Sequence, residues 1–214
     1  MSNTETAVTG TVSGARKRWN ATDLGLIAVF AALVAGSALV PGLAVNGFGV
    51  PITFQTLAVM LTGLVLGAGR GFAAVGLYVL LGLAGLPIFS QGRSGLGILA
   101  GPSAGYIIAF PIAAGVVGWL AAVLIRRTVR ARALWLVLAA TVTSVVVVHS
   151  LGIAGIVLNT KATLEQAFLG DVIFYPGDVV KNILAAAVAV ALHRAFPDIL
   201  VRRSARTAAQ PAKA

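Results

Sequence analysis

Residues 23–70 read DLGLIAVFAALVAGSALVPGLAVNGFGVPITFQTLAVMLTGLVLGAGR, and between Asp23 and Arg70 lie 46 residues without a formal charge. A helix crosses the hydrocarbon core of a bilayer in about 20 residues, so this run is too long for one crossing and long enough for two. Pro41 and Pro51, with Gly42, Gly47 and Gly49 between them, cannot continue a helix, and they divide the run into predicted helices over 23–40 and 52–68. Working outward, residues 71–92 form a third uncharged run and 94–125 a fourth. The fourth opens glycine-rich, so its helix is expected from Ser103. Residues 133–160 supply a fifth run with one histidine. Between Lys181 and Arg194 only 12 residues intervene, or about 18 Å of helix, too little to span unaided. A sixth crossing there places Asp178 and Lys181 inside or at the edge of the membrane. The expected fold is an all-α integral membrane protein, a six-transmembrane-helix bundle over 22–196. A polar N-terminal tail (1–21) and a basic C-terminal tail (197–214) flank it.

Composition agrees. Of 214 residues, 58% are hydrophobic and 10% charged, with a mean hydropathy of +0.97. Soluble domains carry about 25% charged residues, so a soluble enzyme and a disordered regulator are both excluded. The chain has no cysteine, which removes disulfides, thiolate metal sites and cysteine nucleophiles. The first apolar run is too long for a cleaved signal peptide.

Charge sets an expected orientation. With six spans, 13 of the 16 basic residues fall on the side of both termini, leaving Arg93, Lys161 and Lys181 opposite. Positive loops stay cytoplasmic, so both termini are expected inside, with Trp19, Trp119 and Trp135 near the inner interface. The net charge of +10 is then a topology signal, and no nucleic-acid partner is expected. No P-loop or H-E-x-x-H motif occurs, so ATP binding through a Walker loop and zinc hydrolysis have no residues to carry them. Asp171 and Asp178 stand seven apart across Pro176-Gly177 and do not read as a catalytic carboxylate pair; no enzyme activity is expected.

The few polar residues near the outer side become informative, because an ionisable group in a span costs about 2.5–3.5 kcal/mol to insert. Asp178, following Pro176-Gly177, suits a helix N-cap, and Lys181 and Asn182 share its helix face. They form either a binding cluster or an anchoring ion pair. The segment Pro87–Tyr106 carries five glycines around Arg93 and Gln91. It reads as a loop lining a cavity or as a solvated outer loop. Gln55, entering the second span, is a ligand contact or packing glue. His149 reads as a hydrogen-bonded core histidine. Ala28 and Ala32, and Ala31 and Ala35, recur at fourfold spacing along the first span, for close packing in the bundle or for a partner subunit.

Four motifs occur in order: Pro51-x-Thr-x-Gln-Thr-Leu-Ala-Val59, Gly85-Leu-Pro-x-Phe89, Gly101-Pro-x-x-Gly-Tyr106 and Pro176-Gly-Asp-x-x-Lys181. Together they resemble the BioY family, the biotin-specific substrate-binding (S) components of energy-coupling factor (ECF) transporters, over about residues 22–196. Ser103 stands where threonine is commoner and keeps the hydroxyl. The resemblance implies a six-helix bundle in a prokaryotic cell membrane that binds biotin from outside. It implies that Asp178 and Lys181 hold the ureido ring. Arg93, with Gln91 beside it, would face the valerate carboxylate, and Tyr106 and Phe89 would wall the bicycle. It further implies that the small face of the first span meets a transmembrane coupling subunit seated on two ATPases, which use ATP while this chain carries no cofactor of its own. The residues themselves reach only an outward site for a small polar anion, since a carboxylate accepts from N–H groups and Lys and Arg pair with acceptors. A stand-alone carrier or channel for a small organic anion or another vitamin is the alternative.

Overall fold

The computed structural model describes residues 19–40, 42–44, 47–127, 131–197 and 199–200. Most of the two tails lies outside these, as do Arg16, Lys17, Arg18, Arg130, Arg202, Arg203, Arg206 and Lys213 of the orientation argument.

Helix α1 (Ala21–Leu39) starts on a capping box: the Asn20 side chain accepts from the Asp23 N–H, and Asp23 accepts from the Asn20 N–H, both at 3.0 Å. It ends at Val40, extended before Pro41. A two-residue antiparallel pairing follows, β1 (Leu43–Ala44) with β2 (Pro51–Ile52), in the stretch expected to be irregular. Helices α2 (Gln55–Leu66) and α3 (Ala68–Leu83) are joined by Gly67 alone, whose φ of 79° turns the chain where an L side chain would be strained. Ten of the twelve residues of α2 are buried, the mark of a helix that meets protein on every side. It packs against α1, α3, α4 (Ala104–Arg127) and α8 (Tyr175–Ala195).

Helices α5 (Arg132–Thr143) and α6 (Ser150–Asn159) form one rod, interrupted by a π turn over Ser144–His149. In that turn the Ser150 hydroxyl donates to the Val145 carbonyl five residues back. The rod packs on α4 through Gly105 and Gly155: a Cβ on Gly105 would stand 1.9 Å from the Leu151 carbonyl oxygen. Helix α7 (Leu164–Val172), which the periodicity did not announce, starts on a Thr163–Gln166 capping box. In α8 the N-cap residue is Phe174, and Asp178 lies one turn in, its N–H donating to the Phe174 carbonyl at 2.9 Å. The capping role expected for Asp178 is thereby corrected, and its carboxylate is available to the interior.

Four helices, Ala21–Leu39, Ala104–Ile125, Arg132–Asn159 and Tyr175–Ala195, are long and apolar enough to cross a membrane, and α2 and α3 are shorter apolar helices. Their outer faces are apolar too, with Leu24, Val29, Leu80, Trp119, Val146 and Leu158 all exposed. A surface of that kind suits lipid. The chain is thus a mostly helical, multi-pass membrane protein. At one end Arg70 of α3 pairs with Asp23 of α1 at 3.3 Å, both largely buried, and also donates to the Ile199 carbonyl. Ile199 and Leu200, beyond the expected boundary at 196, pack on the core here.

Candidate functional site

The opposite end of the bundle holds a cavity enclosing about 600 Å³ of empty space, part of it open to solvent. Two loops wall it: Val50–Thr53 around β2, and the irregular segment after α3, which contributes Phe89, Ser90, Arg93 and Ile98. That segment is built of two 3₁₀ turns, Ser90–Gly92 and Leu96–Ala100, and is tied to α3 by the Gly95 N–H donating to the Gly82 carbonyl at 2.8 Å. The remaining wall comes from the first turns of α2, α4 and α8 and from the π turn.

Most of the lining is apolar. Phe89 is fully buried and meets Tyr78 edge-on at 5.6 Å, and Tyr106 meets Phe174 edge-on at 6.2 Å. Against these walls stands one polar cluster. Asp178 Oδ1 accepts from Thr56 Oγ1 at 2.9 Å and from Lys181 Nζ at 2.8 Å, while Oδ2 lies 3.4 Å from His149 Nε2. On its other side His149 Nδ1 lies 3.0 and 2.9 Å from the two oxygens of Asp171, and the Tyr106 hydroxyl donates to Asp171 at 2.5 Å. Tyr175 stacks on the imidazole at 4.2 Å. Burying this many charges is tolerable only because each meets an opposite charge or a hydrogen bond.

Of the residues singled out from the sequence, Asp178, Lys181, Arg93, Tyr106, Phe89 and Gln55 line the cavity. Arg93 reaches it from the loop, donating to the Ser90 carbonyl at 3.3 Å and the Ser103 hydroxyl at 3.5 Å. Gln55 spends both ends of its amide on protein, donating to the Tyr78 hydroxyl at 2.8 Å and accepting from Thr53 at 3.1 Å. Two residues stand apart from the cavity. Gln91 takes a left-handed backbone (φ 63°), a kink within the Ser90–Gly92 turn, and is exposed. Asn182 is buried behind the cavity wall, its amide without a hydrogen-bond partner among the described residues. The Asp178–Lys181 pair is real as an i,i+3 contact, yet it also faces the cavity.

The fold assembles what the sequence reading kept apart. Asp171 and Asp178, seven residues distant, meet opposite edges of His149, a histidine read as core packing that also lines the cavity. The readable signal was the Thr163-x-x-Gln166 capping box, which marks α7 and hence puts Asp171 on a helix. On α1, Ala28 and Ala32 are exposed, with Gly25 and Gly36 open on the same helix. Ala31 and Ala35 correct the expectation of one outer face: Ala31 is buried and Ala35 packs on the core, because a three-residue step sets them about 60° round the helix from Ala28 and Ala32.

Comparison with known proteins identifies the family. The BioY family model matches residues 11–198. The biotin transporter BioY of Rhizobium etli is 37% identical over 182 residues, covering 84% of this chain and 97% of that one. The biotin transporter BioY of Rhodobacter capsulatus is 40% identical over 192 residues, covering 85% and 98%. A solved structure, the S-component for biotin from an ECF-type ABC transporter, superposes with a TM-score of 0.76 at 26% identity, over 81% of this chain and 91% of that one. The chain belongs to the BioY family.

Proposed function

We propose that the chain captures biotin in this cavity and takes it up as the S component of an ATP-driven ECF transporter in a prokaryotic cell membrane. The observation that carries the reading is the Asp178–Lys181 pair facing an apolar-walled cavity that also receives Arg93. Biotin offers urea N–H donors and a carbonyl at one end and a carboxylate at the other. Asp178 accepts from the N–H groups, Lys181 donates to the carbonyl, and Arg93 pairs with the carboxylate. Phe89 and Tyr106 wall the bicycle. The four long helices with α2 and α3 make six crossings, both termini cytoplasmic. The exposed strip of Ala28 and Ala32 on α1 meets the coupling subunit, and ATP is used by two ATPases beneath it.

The test is calorimetric titration of biotin into the purified, detergent-solubilised chain. Saturable one-to-one binding supports the proposal, and no binding by a folded protein overturns it. A stand-alone, proton-coupled carrier draws support from one observation, the Tyr106–Asp171–His149–Asp178 chain of polar contacts across the helices. Biotin uptake by cells lacking the coupling and ATPase subunits would favour it, and uptake only with them favours the ECF reading.

A further inference from the structure

Asp171 is fully buried and lies behind the cavity lining, yet it makes two of the tightest polar contacts near it. Its helix, α7, is nine residues long and is otherwise applied to the bundle by Ala167. An ionised carboxylate with no structural task is expensive there, so its contacts need an account. A carboxylate accepts and does not donate. His149 meets a carboxylate at each ring nitrogen, Asp171 at Nδ1 and Asp178 at Nε2, and Tyr175 covers one ring face. A neutral imidazole would turn a bare nitrogen lone pair on one of those carboxylates, so with both carboxylates ionised each ring nitrogen is matched only when it carries a proton. The cluster then balances: Asp171 and Asp178 against His149 and Lys181. Arg93 adds one further positive charge and meets no carboxylate among the described residues, only the Ser90 carbonyl and Ser103 hydroxyl. Arg93 is half-buried in a cavity partly open to solvent, and a ligand carrying one negative charge matches its charge there.

We propose that Asp171, braced by the Tyr106 hydroxyl, is a positioning residue that holds His149 as an imidazolium against Asp178, and that the cluster so balanced makes the cavity select monoanions over neutral ligands. The selectivity clause rests on the biotin reading; the positioning clause does not. His149 thereby becomes a specificity determinant without touching the ligand carboxylate.

The chain has two histidines, so His193→Gln leaves one imidazole to observe. In full-length, ¹⁵N-histidine-labelled protein in detergent at neutral pH, His149 is expected to show two protonated ring nitrogens. A neutral tautomer, with one bare nitrogen, overturns the proposal. Asp171→Asn is expected to abolish the imidazolium signature, and an unchanged spectrum overturns the positioning role. Should that variant not fold, Tyr106→Phe, which removes only the bracing hydroxyl, is expected to shift the Nδ1 resonance, and no shift overturns it likewise. Titrations then compare biotin with biotin amide. The wild type is expected to prefer the anion, and His149→Gln to narrow that preference by about tenfold. An equal preference in both proteins overturns the selectivity clause. A folded wild type that binds neither ligand overturns the biotin reading and that clause with it, while the spectrum still decides the imidazolium.

Discussion

Replacing Asp178 by asparagine changes one atom and removes the acceptor on which the cavity's polar end converges. The carboxylate takes hydrogen bonds from Thr56 and Lys181 on one oxygen and faces His149 with the other. An amide keeps one acceptor and adds an NH₂ group. Whichever way it turns, that NH₂ points at a donor, either the Lys181 ammonium or the His149 ring. Two consequences can be sized. A hydrogen bond to a charged group contributes about 1.5–3 kcal/mol, so losing one ligand contact weakens biotin by roughly 10- to 150-fold. Lys181 and His149 also lose their shared counter-charge, and breaking a buried pair by removing one partner costs about 3–5 kcal/mol of stability. The lysine side chain keeps 11% exposure and water relieves part of this, so the unfolding midpoint should fall without loss of the fold. The assay is calorimetric titration of biotin into wild type and variant, each with its ligand-free unfolding midpoint. A variant that binds with unchanged affinity would refute the reasoning, since the carboxylate would then serve only the helices around it.

Arg93→Ala should weaken biotin by at least about tenfold and biotin amide much less, as one charge-assisted pair is lost; similar losses for both ligands in the same titrations would remove the guanidinium from the carboxylate end. Ala28→Trp or Ala32→Trp, on the exposed strip of α1, should leave binding by the isolated chain within about twofold while abolishing coupled uptake in cells. Loss of binding instead would mean that strip supports the bundle. Gly105→Ala forces a Cβ to within 1.9 Å of the Leu151 carbonyl oxygen. Parting α4 from α6 should cost about 1–3 kcal/mol and lower the unfolding midpoint, and an unaltered midpoint would contradict the close packing described.

The helices that span were legible because lipid leaves few choices: a run free of charge for about 20 residues has to be helical and crossing. The Pro176-Gly-Asp-x-x-Lys181 spacing was equally plain, since i and i+3 share a helix face wherever the helix packs. What escaped depends on relations between elements. His149 and Asp171 meet because α7 folds back on α6, and nothing local announces that return. The side chain of Gln91 was assigned by proximity to Arg93, but one left-handed residue sends it outward. Ala31 and Ala28 look interchangeable in a small-residue pattern, and only packing tells which faces the bundle. Periodicity foresees which faces are apolar; it does not foresee which neighbour they find.

The π turn at Ser144–His149 has a consequence for how this rod could change over generations. A π turn accommodates one residue more than α-helical winding would. It takes up that residue locally, so the α-helical windings on either side keep one phase and each stays aligned with its own part of the bundle. Winding the same residues without the bulge would turn the His149 side by about 100° relative to α5. The helix would still be long enough to cross a bilayer. Loss of the bulge alone would thus leave every polar side chain of the cavity in the chain, with the imidazole aimed elsewhere.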